Sequence, residues 1–269
     1  MRKLDSPPAT RTVLPRGLSY FEYQRLVCSE VLIPWLAARL DLAGLQVGDF
    51  GAHHGGMLDA LRDSGLVAGA TGLELSADVV ASSPFVGDER FRLEVADVMA
   101  RDAGSPEFDL VLMHDVLEHI PERERALGAV HRALAPGGHV FVSFPPYYSA
   151  FGGHHQLAAG RIRLVPFAHL LPAGVFFGLA RPSANEYLNA DDARRDMLSV
   201  RRARLTLRAV ECGLRAAGLE IVDRELYVVR PEYTVRYGMK TRRARVLGAM
   251  PLVRELAVNG AFYLARRPR

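Results

Sequence analysis

The stretch Val47-Gly-Asp-Phe-Gly-Ala-His-His-Gly-Gly56 decides how this chain is read. Leu45 to Phe50 is a strand candidate, Gly51 to Gly56 is a glycine-containing turn, and Met57 to Asp63 opens a helical pattern. Outward from it, Ala70 to Leu75, Arg90 to Val95, Phe108 to Met113 and His139 to Phe144 read as further strands. Glu122 to Leu134 is helical and meets a strong breaker at Pro136-Gly137-Gly138. Strands alternating with helices predict a parallel sheet covered on both faces. Leu205 to Ala217 predicts another helix, Glu220 to Val229 a sixth strand and Ala261 to Ala265 a seventh. Ahead of the first strand, Tyr20 to Leu40 predicts one amphipathic helix, with Pro34 placed to kink or divide it.

The alternation breaks between Pro145 and Asp192, where prolines, glycines and aromatics follow no period. The segment 146–192 is expected to be an insertion over the strand ends, a lid with short helices. Residues 1–17 are expected to be a flexible tail, 18–269 one domain, and 230–256 a C-terminal excursion from it.

The chain has 269 residues, 49% of them hydrophobic and 24% charged, which fits a globular protein and excludes a fibrous repeat or a disordered chain. Two cysteines, Cys28 and Cys212, make no motif, so a reducing, cytoplasmic setting is expected. The longest nearly uncharged run, Leu164 to Ala180, is 17 residues with two prolines, too short and too broken for a spanning helix. Net charge is +4, unevenly spread: residues 194–269 hold 18 basic and 7 acidic side chains, the rest 16 and 23. A positive C-terminal region could attract an anionic small molecule, a membrane surface or nucleic acid, or be a solvated face. The basic and aromatic run Arg230 to Lys240 has no nucleic-acid module around it, so nucleic acid is not expected as a partner.

Ligands of parallel sheets bind at the carboxyl ends of the strands. Gly51 lets backbone approach a ligand, and the amides opening the next helix can hold an anion. Glu74 stands 23 residues after Gly51, where a carboxylate can accept two ribose hydroxyls, and Asp97 can accept from an adenine amino group. A nicotinamide dinucleotide would suit the same geometry, but the second glycine of its fingerprint is replaced by His53.

Taken together, these segments resemble the class I S-adenosylmethionine-dependent methyltransferases, in the branch of ubiquinone and menaquinone biosynthesis. The likeness rests on Val47 through Gly55, Gly72-Leu-Glu-Leu-Ser76, Ala96-Asp-Val98 and, most specifically, Phe108-Asp-Leu-Val-Leu-Met-His-Asp-Val-Leu-Glu-His-Ile-Pro121, continuing into Arg132-Ala-Leu-Ala-Pro-Gly-Gly138. It implies a Rossmann-like, doubly wound, mostly parallel seven-stranded α/β sheet with the lid after the fifth strand. It implies S-adenosylmethionine as cofactor. Asp49, Gly51, Ala52, His53 and Gly55 are then expected around its methionine part, Glu74 at the ribose, Leu75 and Val98 on either side of the adenine, and Asp97 at the adenine amino group. His114 and Asp115 are expected at the methionine end, covered by Tyr20, Tyr23 and Gln24. His53 departs from the family glycine, and its ring either crowds the methionine carboxylate or donates to it.

Methyl transfer is an in-line displacement with a neutral leaving thioether, so placement of the acceptor dominates and a base assists a hydroxyl or acidic carbon. His119, His154 and His155 are the candidate catalytic residues. Tyr147, Tyr148 and Phe151 are candidates to stack on a flat acceptor, and Val165 to Phe177 is a candidate roof for an apolar pocket. The paired histidines at 53–54 and 154–155 invite a metal, but no carboxylate or cysteine spacing completes a ligand set, so none is expected. The reading is therefore a methyltransferase of a small-molecule acceptor, oxygen being one candidate atom. Methylation of a lipid or cell-envelope glycan, and an inactive cofactor-binding domain serving a partner, are the alternatives. A homodimer is left open.

Overall fold

Leu110 to Met113 and Val140 to Val142 are completely buried, and uninterrupted apolar strands of this kind need helices on both sides. The computed structural model, which describes residues 17–100, 107–185 and 188–269, supplies them. The expected tail lies, apart from Gly17, outside the described residues. Eight strands, β1 (Gln46–Phe50), β2 (Gly69–Glu74), β3 (Phe91–Val95), β4 (Phe108–His114), β5 (Leu134–Phe144), β6 (Glu220–Val229), β7 (Arg242–Arg243) and β8 (Gly260–Arg266), form one sheet in the order β3-β2-β1-β4-β5-β8-β6-β7. Neighbours from β3 to β5 are parallel; β8 runs antiparallel between β5 and β6. The seven expected strands are all present. The eighth, β7, adds two residues to the edge and is too short to leave a periodic signal.

The helices are α1 (Tyr20–Val27), α2 (Ile33–Ala37), α3 (Gly56–Ser64), α4 (Ala77–Ala81), α5 (Arg123–Ala133), α6 (Ala173–Leu179), α7 (Ala190–Ala203), α8 (Leu207–Ala216), α9 (Glu232–Tyr237) and α10 (Val253–Ala257). Val27 of α1, Trp35 and Leu36 of α2, and Leu58 and Leu61 of α3 pack with Val47, Leu110, Phe141 and Phe262. On the other face, Leu127, Val130, Val210 and Leu214 of α5 and α8 pack with Val111, Val140 and Tyr263. The leading helix is divided, as Pro34 allows, but by a π-helical turn, Cys28–Leu32, that precedes the proline. Proline has no N–H to continue the α-helical ladder, and the wider turn absorbs that break.

Two segments differ from expectation. The breaker Pro136-Gly137-Gly138 ends α5 but stays within β5, with a register irregularity opposite Phe108 to Leu110. Gly137 N–H donates to Arg267 O, and Arg267 N–H donates to Gly138 O, which keeps the segment extended. The insertion after β5 contains 3₁₀ turns and α6, and α7 then starts at Ala190, where Asn189 accepts from the Asp191 and Asp192 N–H groups. Phe176, Ala158, Ala180 and Met197 form a small core of their own. No helix among the described residues is long and apolar enough to cross a membrane.

From β1 the chain moves to β2 and β3 on one side, then returns to place β4 on the other side of β1. The carboxyl ends of β1 and β4 therefore flank the crevice at which such sheets bind ligands.

Candidate active site

Gly51, directly after β1, has φ +81°, and a Cβ there would lie 2.5 Å from Val116 Cγ2, so the turn requires glycine. The turn that follows is clasped from β2: Glu74 Oε2 accepts from His53 N–H at 3.0 Å and Oε1 from Ser76 N–H at 2.9 Å. Across it lies α1, whose start is fixed by a capping box between Ser19 and Glu22. Its first residue, Tyr20, meets the His53 ring edge-on with centroids 4.6 Å apart, and Gln24 Nε2 donates to Ala52 O at 3.3 Å.

These elements enclose a cleft of about 410 Å³. Glu74, Leu75, Asp97, Val98 and Met99 line one end; Tyr20, Gln24, Gly51, His53, His114 and Asp115 line the middle; His119 and Asp196 line the rest with Val116 and Ile120. A second cavity of about 130 Å³ shares Tyr20, Gln24, His114, Asp115, His119 and Asp196. It continues between Tyr23, Phe151, His154, Arg230 and Tyr233. Of the sequence-nominated cofactor residues, Asp49, Ala52 and Gly55 lie behind the turn and line neither cavity, Tyr23 lines only the smaller one, and the others line the cleft.

Burial sets the electrostatics. Asp49 is buried with Oδ2 unpartnered, and desolvation, aided by the Glu74 charge, pushes its carboxyl up to about 7. Desolvation, then His54, pushes His53 down to about 3, and the two rings share a 2.7 Å Nδ1–Nδ1 contact in which one donates and the other accepts. At the end of β4, Ser143 Oγ lies 2.6 Å from His114 Nδ1. Arg230 Nη2 donates to both Asp115 oxygens, at 2.7 and 2.8 Å, and Arg230 Nε donates to Glu232 at 3.0 Å. Burial opposes the Asp115 charge, yet Arg230 and then His114 hold this carboxyl well below its usual range.

A second polar cluster joins the insertion to the sheet. His154 Nδ1 lies 2.8 Å from Asp196 Oδ2 on α7; Asp196 Oδ1 is 3.7 Å from His119 Nδ1, which meets Ser199 Oγ at 2.8 Å. The fully buried Glu118 has no hydrogen-bond partner on either oxygen, His154 Nε2 standing 4.0 Å from Oε1, and burial, then the Asp115 charge, pushes its carboxyl well above the ordinary value. Glu118, His119 and His154 each offer a ligand atom, all within 4.8 Å of one another. A divalent ion could be held there. The sequence reading expects no metal because no carboxylate or cysteine spacing completes a ligand set; the fold brings Glu118 to His154 across 36 residues. His114, Asp115 and Glu232 also converge, but Arg230 already occupies those two carboxylates.

Non-glycine residues with positive φ cost strain and concentrate at functional sites. Among the described residues there are five, and His53, Asp115 and His154 of them line the two cavities. His155 does not join them. Its ring is buried in the insertion, stacked between Phe151 and His169, with Nε2 on Val165 O at 3.0 Å. Its neighbour takes the turn outward, so adjacent histidines face opposite ways. The apolar run Val165 to Phe177 lines neither cavity. Asp196 and Ser199 go unassigned in the sequence, and Arg230 and Glu232 stand there only within the basic and aromatic run Arg230 to Lys240. The Asn189 cap and the apolar spacing of Ala193, Met197 and Val200 were the available signs that Asp196 sits on a helix.

Comparison with known proteins agrees with this geometry. Residues 49–140 match the family model described as a methyltransferase domain. The ubiquinone biosynthesis O-methyltransferase of Xanthomonas oryzae pv. oryzae is 34% identical over 119 residues, covering 42% of this chain and 48% of that protein. Its counterpart in Pseudomonas aeruginosa is 31% identical over 116 residues, 41% and 49% of the two chains. The match thus spans about half the length of these curated relatives. Among solved structures, an S-adenosylmethionine-dependent methyltransferase from Mesorhizobium loti is 21% identical with a TM-score of 0.53, covering 87% of this chain and 96% of that one. Phosphoethanolamine N-methyltransferase 2 of Haemonchus contortus, solved with S-adenosyl-L-methionine, is 14% identical with a TM-score of 0.56, covering 95% and 62%. At these identities the structures speak for the fold. Residues 49–140 thus match a methyltransferase domain, and the chain as a whole has the fold of solved S-adenosylmethionine-dependent methyltransferases.

Proposed function

We propose that this protein transfers a methyl group from S-adenosylmethionine to a hydroxyl of a small-molecule acceptor. The observation that carries the reading is the His154–Asp196 pair, which stands with His119 where the cofactor-sized cleft meets the smaller cavity. In this reading Glu74 takes the ribose hydroxyls, Leu75 and Val98 flank the adenine and Asp97 accepts from its amino group. Gly51, His53, His114 and Asp115, with Asp49, Ala52 and Gly55 behind them, shape the methionine end. Tyr20, Tyr23 and Gln24 cover it and exclude water. When bound, the cofactor supplies the electrophilic methyl carbon, and a neutral thioether leaves. Asp196 holds the proton of His154 on Nδ1, which leaves Nε2 basic to take the proton of the acceptor hydroxyl. His155 is not part of this proposal. The relatives are O-methyltransferases of ubiquinone biosynthesis, which supports oxygen as the acceptor atom. The free thiols Cys28 and Cys212 support a cytoplasmic setting.

The test is calorimetry with S-adenosylhomocysteine, followed by its detection as product with a panel of phenols, catechols and glycosides. Micromolar binding with turnover is expected. Binding without turnover would favour a cofactor-binding domain that serves a partner, and no binding would refute the reading.

The bare carboxylate of Glu118 favours a second form of the same reaction. Glu118, His119 and His154 would hold a divalent cation that acidifies the acceptor hydroxyl, with Asp196 orienting His154 behind it. Stoichiometric metal by elemental analysis, and activity lost to a chelator and restored by a divalent salt, would select this form. Metal-free protein with full activity would select the histidine base.

A further inference from the structure

The segment 237–256, none of whose residues lines either cavity, is unusual in what it leaves outside. Val246 and Leu252 are 76% and 86% exposed, and Leu247, Met250 and Leu256 are exposed as well. Leu252 and Leu256, four residues apart at α10, share one side of that helix. The cations beside them divide into two groups. Arg243 is paired with Glu225 and Arg254 with Glu211. Lys240, Arg242 and Arg245 are exposed and make no ion pair among the described residues. The only acidic residue in the segment, Glu255, is turned inward and accepts from the Leu207 and Arg208 N–H groups at 2.9 and 3.1 Å. The outer surface is therefore aliphatic and positive with no compensating carboxylate.

We infer that this surface docks the protein on an anionic lipid bilayer. A bilayer surface satisfies both features at once: phosphate headgroups meet the three cations, and the aliphatic side chains enter the boundary with the acyl chains. A second copy of the chain would set uncompensated arginines against each other across a two-fold axis. A nucleic acid would use the cations but not five aliphatic side chains, and the segment's one aromatic ring, Tyr237, packs edge-on against Tyr233. The excess of basic over acidic residues beyond position 193 adds attraction at longer range.

The experiment is co-sedimentation of the full chain with vesicles of phosphatidylglycerol and of phosphatidylcholine, at low and high salt. Binding to the anionic vesicles is expected to be about a hundredfold tighter and to weaken as salt rises. The double substitution Leu252→Glu with Leu256→Glu should reduce it by about tenfold or more, and Lys240→Glu with Arg242→Glu and Arg245→Glu should abolish the lipid preference. All five positions are exposed, so the variants should keep the parent's melting temperature and affinity for S-adenosylhomocysteine, which separates lost docking from lost folding. The inference is overturned by failure to bind phosphatidylglycerol, or by binding both lipids equally. It is also overturned if the variants bind like the parent, which would move the contact to the exposed apolar run at 164–179. A concentration-dependent dimer abolished by the leucine substitutions would assign the surface to a second copy instead.

Discussion

Gly56 opens α3 where α1 crosses it, and replacing it with alanine tests how the cofactor end is built. A Cβ at position 56 would lie 2.3 Å from Phe21 O, 2.8 Å from Gln24 Cβ and 3.1 Å from Arg25 N. Ordinary contact begins near 3.4 Å, so α1 must retreat by about 1 Å or distort. Overpacking of this kind costs ~1–3 kcal/mol, offset in part by the better helix propensity of alanine. At ~2–4 °C per kcal/mol for a chain of this size, the melting temperature should fall by roughly 2–10 °C. The same retreat breaks the bond from Gln24 to Ala52 O, already 3.3 Å long, and parts Tyr20 from His53. Affinity for S-adenosylhomocysteine should therefore fall about tenfold, the loss of one or two polar contacts. Gly65→Ala at the other end of the helix is the control. Gly65 has φ +63° with nothing within 4 Å, so alanine there meets only backbone strain of ~1–2 kcal/mol and leaves the cleft alone. Scanning calorimetry and titration calorimetry on both variants decide the matter. If Gly56→Ala binds S-adenosylhomocysteine as tightly as Gly65→Ala, α1 does not form the cofactor cover and the argument fails.

Glu74→Ala removes the proposed acceptor for the ribose and unclasps the His53 and Ser76 amides, so S-adenosylhomocysteine should bind roughly 10–100-fold more weakly by calorimetry; unchanged affinity would remove Glu74 from the cofactor site. His154→Ala should lower turnover by about 10²–10⁴-fold and Asp196→Asn by less, with cofactor affinity nearly intact, as measured by product formation under saturating cofactor. Equal loss of cofactor affinity would make the pair structural. Asp49 has a folded pKa of about 7 against an ordinary 3.8, so its charge burdens the folded state increasingly as pH rises from 4 to 7 and fully above 7. Asp49→Asn should thus stabilise the cofactor-free protein at pH 8, by at most ~4 kcal/mol and by less once the buried amide is counted, while changing little at pH 4. His53, lowered to about 3, acts in the opposite direction: the unfolded chain takes up its proton first, so stability is lost as pH falls from 6.5 toward 3. His53→Gln should flatten the acid limb of a melting-temperature profile, and an unaltered profile would show that the ring is solvated.

The half of the site that was legible from sequence is the half made by local rules. Glycines at 51 and 55 announce a turn because their φ values suit no other residue well, and Glu74 ends and Asp97 follows a short strand of the alternating β-α pattern. Those residues need only their own element to be in position. The other half is assembled by packing between elements distant in sequence, and no local pattern records it. Asp196 reaches His154 across 42 residues, and Arg230 reaches Asp115 across 115. Adjacent histidines 154 and 155 look equivalent in sequence, yet one has φ +54° and lines the cavity while the other is stacked in the insertion core. That division has a chemical counterpart. The proposed cofactor recognition rests on contacts that the sheet dictates, whereas the groups nearest the proposed acceptor depend on an insertion and a helix that pack on each other and on the turn after β4. Glu118 marks the join. It belongs to the motif after β4, but its carboxylate faces side chains from the insertion and α7, and burial without a partner there is costly unless a proton or a cation completes it. The acceptor and the group that neutralises Glu118 are therefore one question, because both must fit between the same histidines.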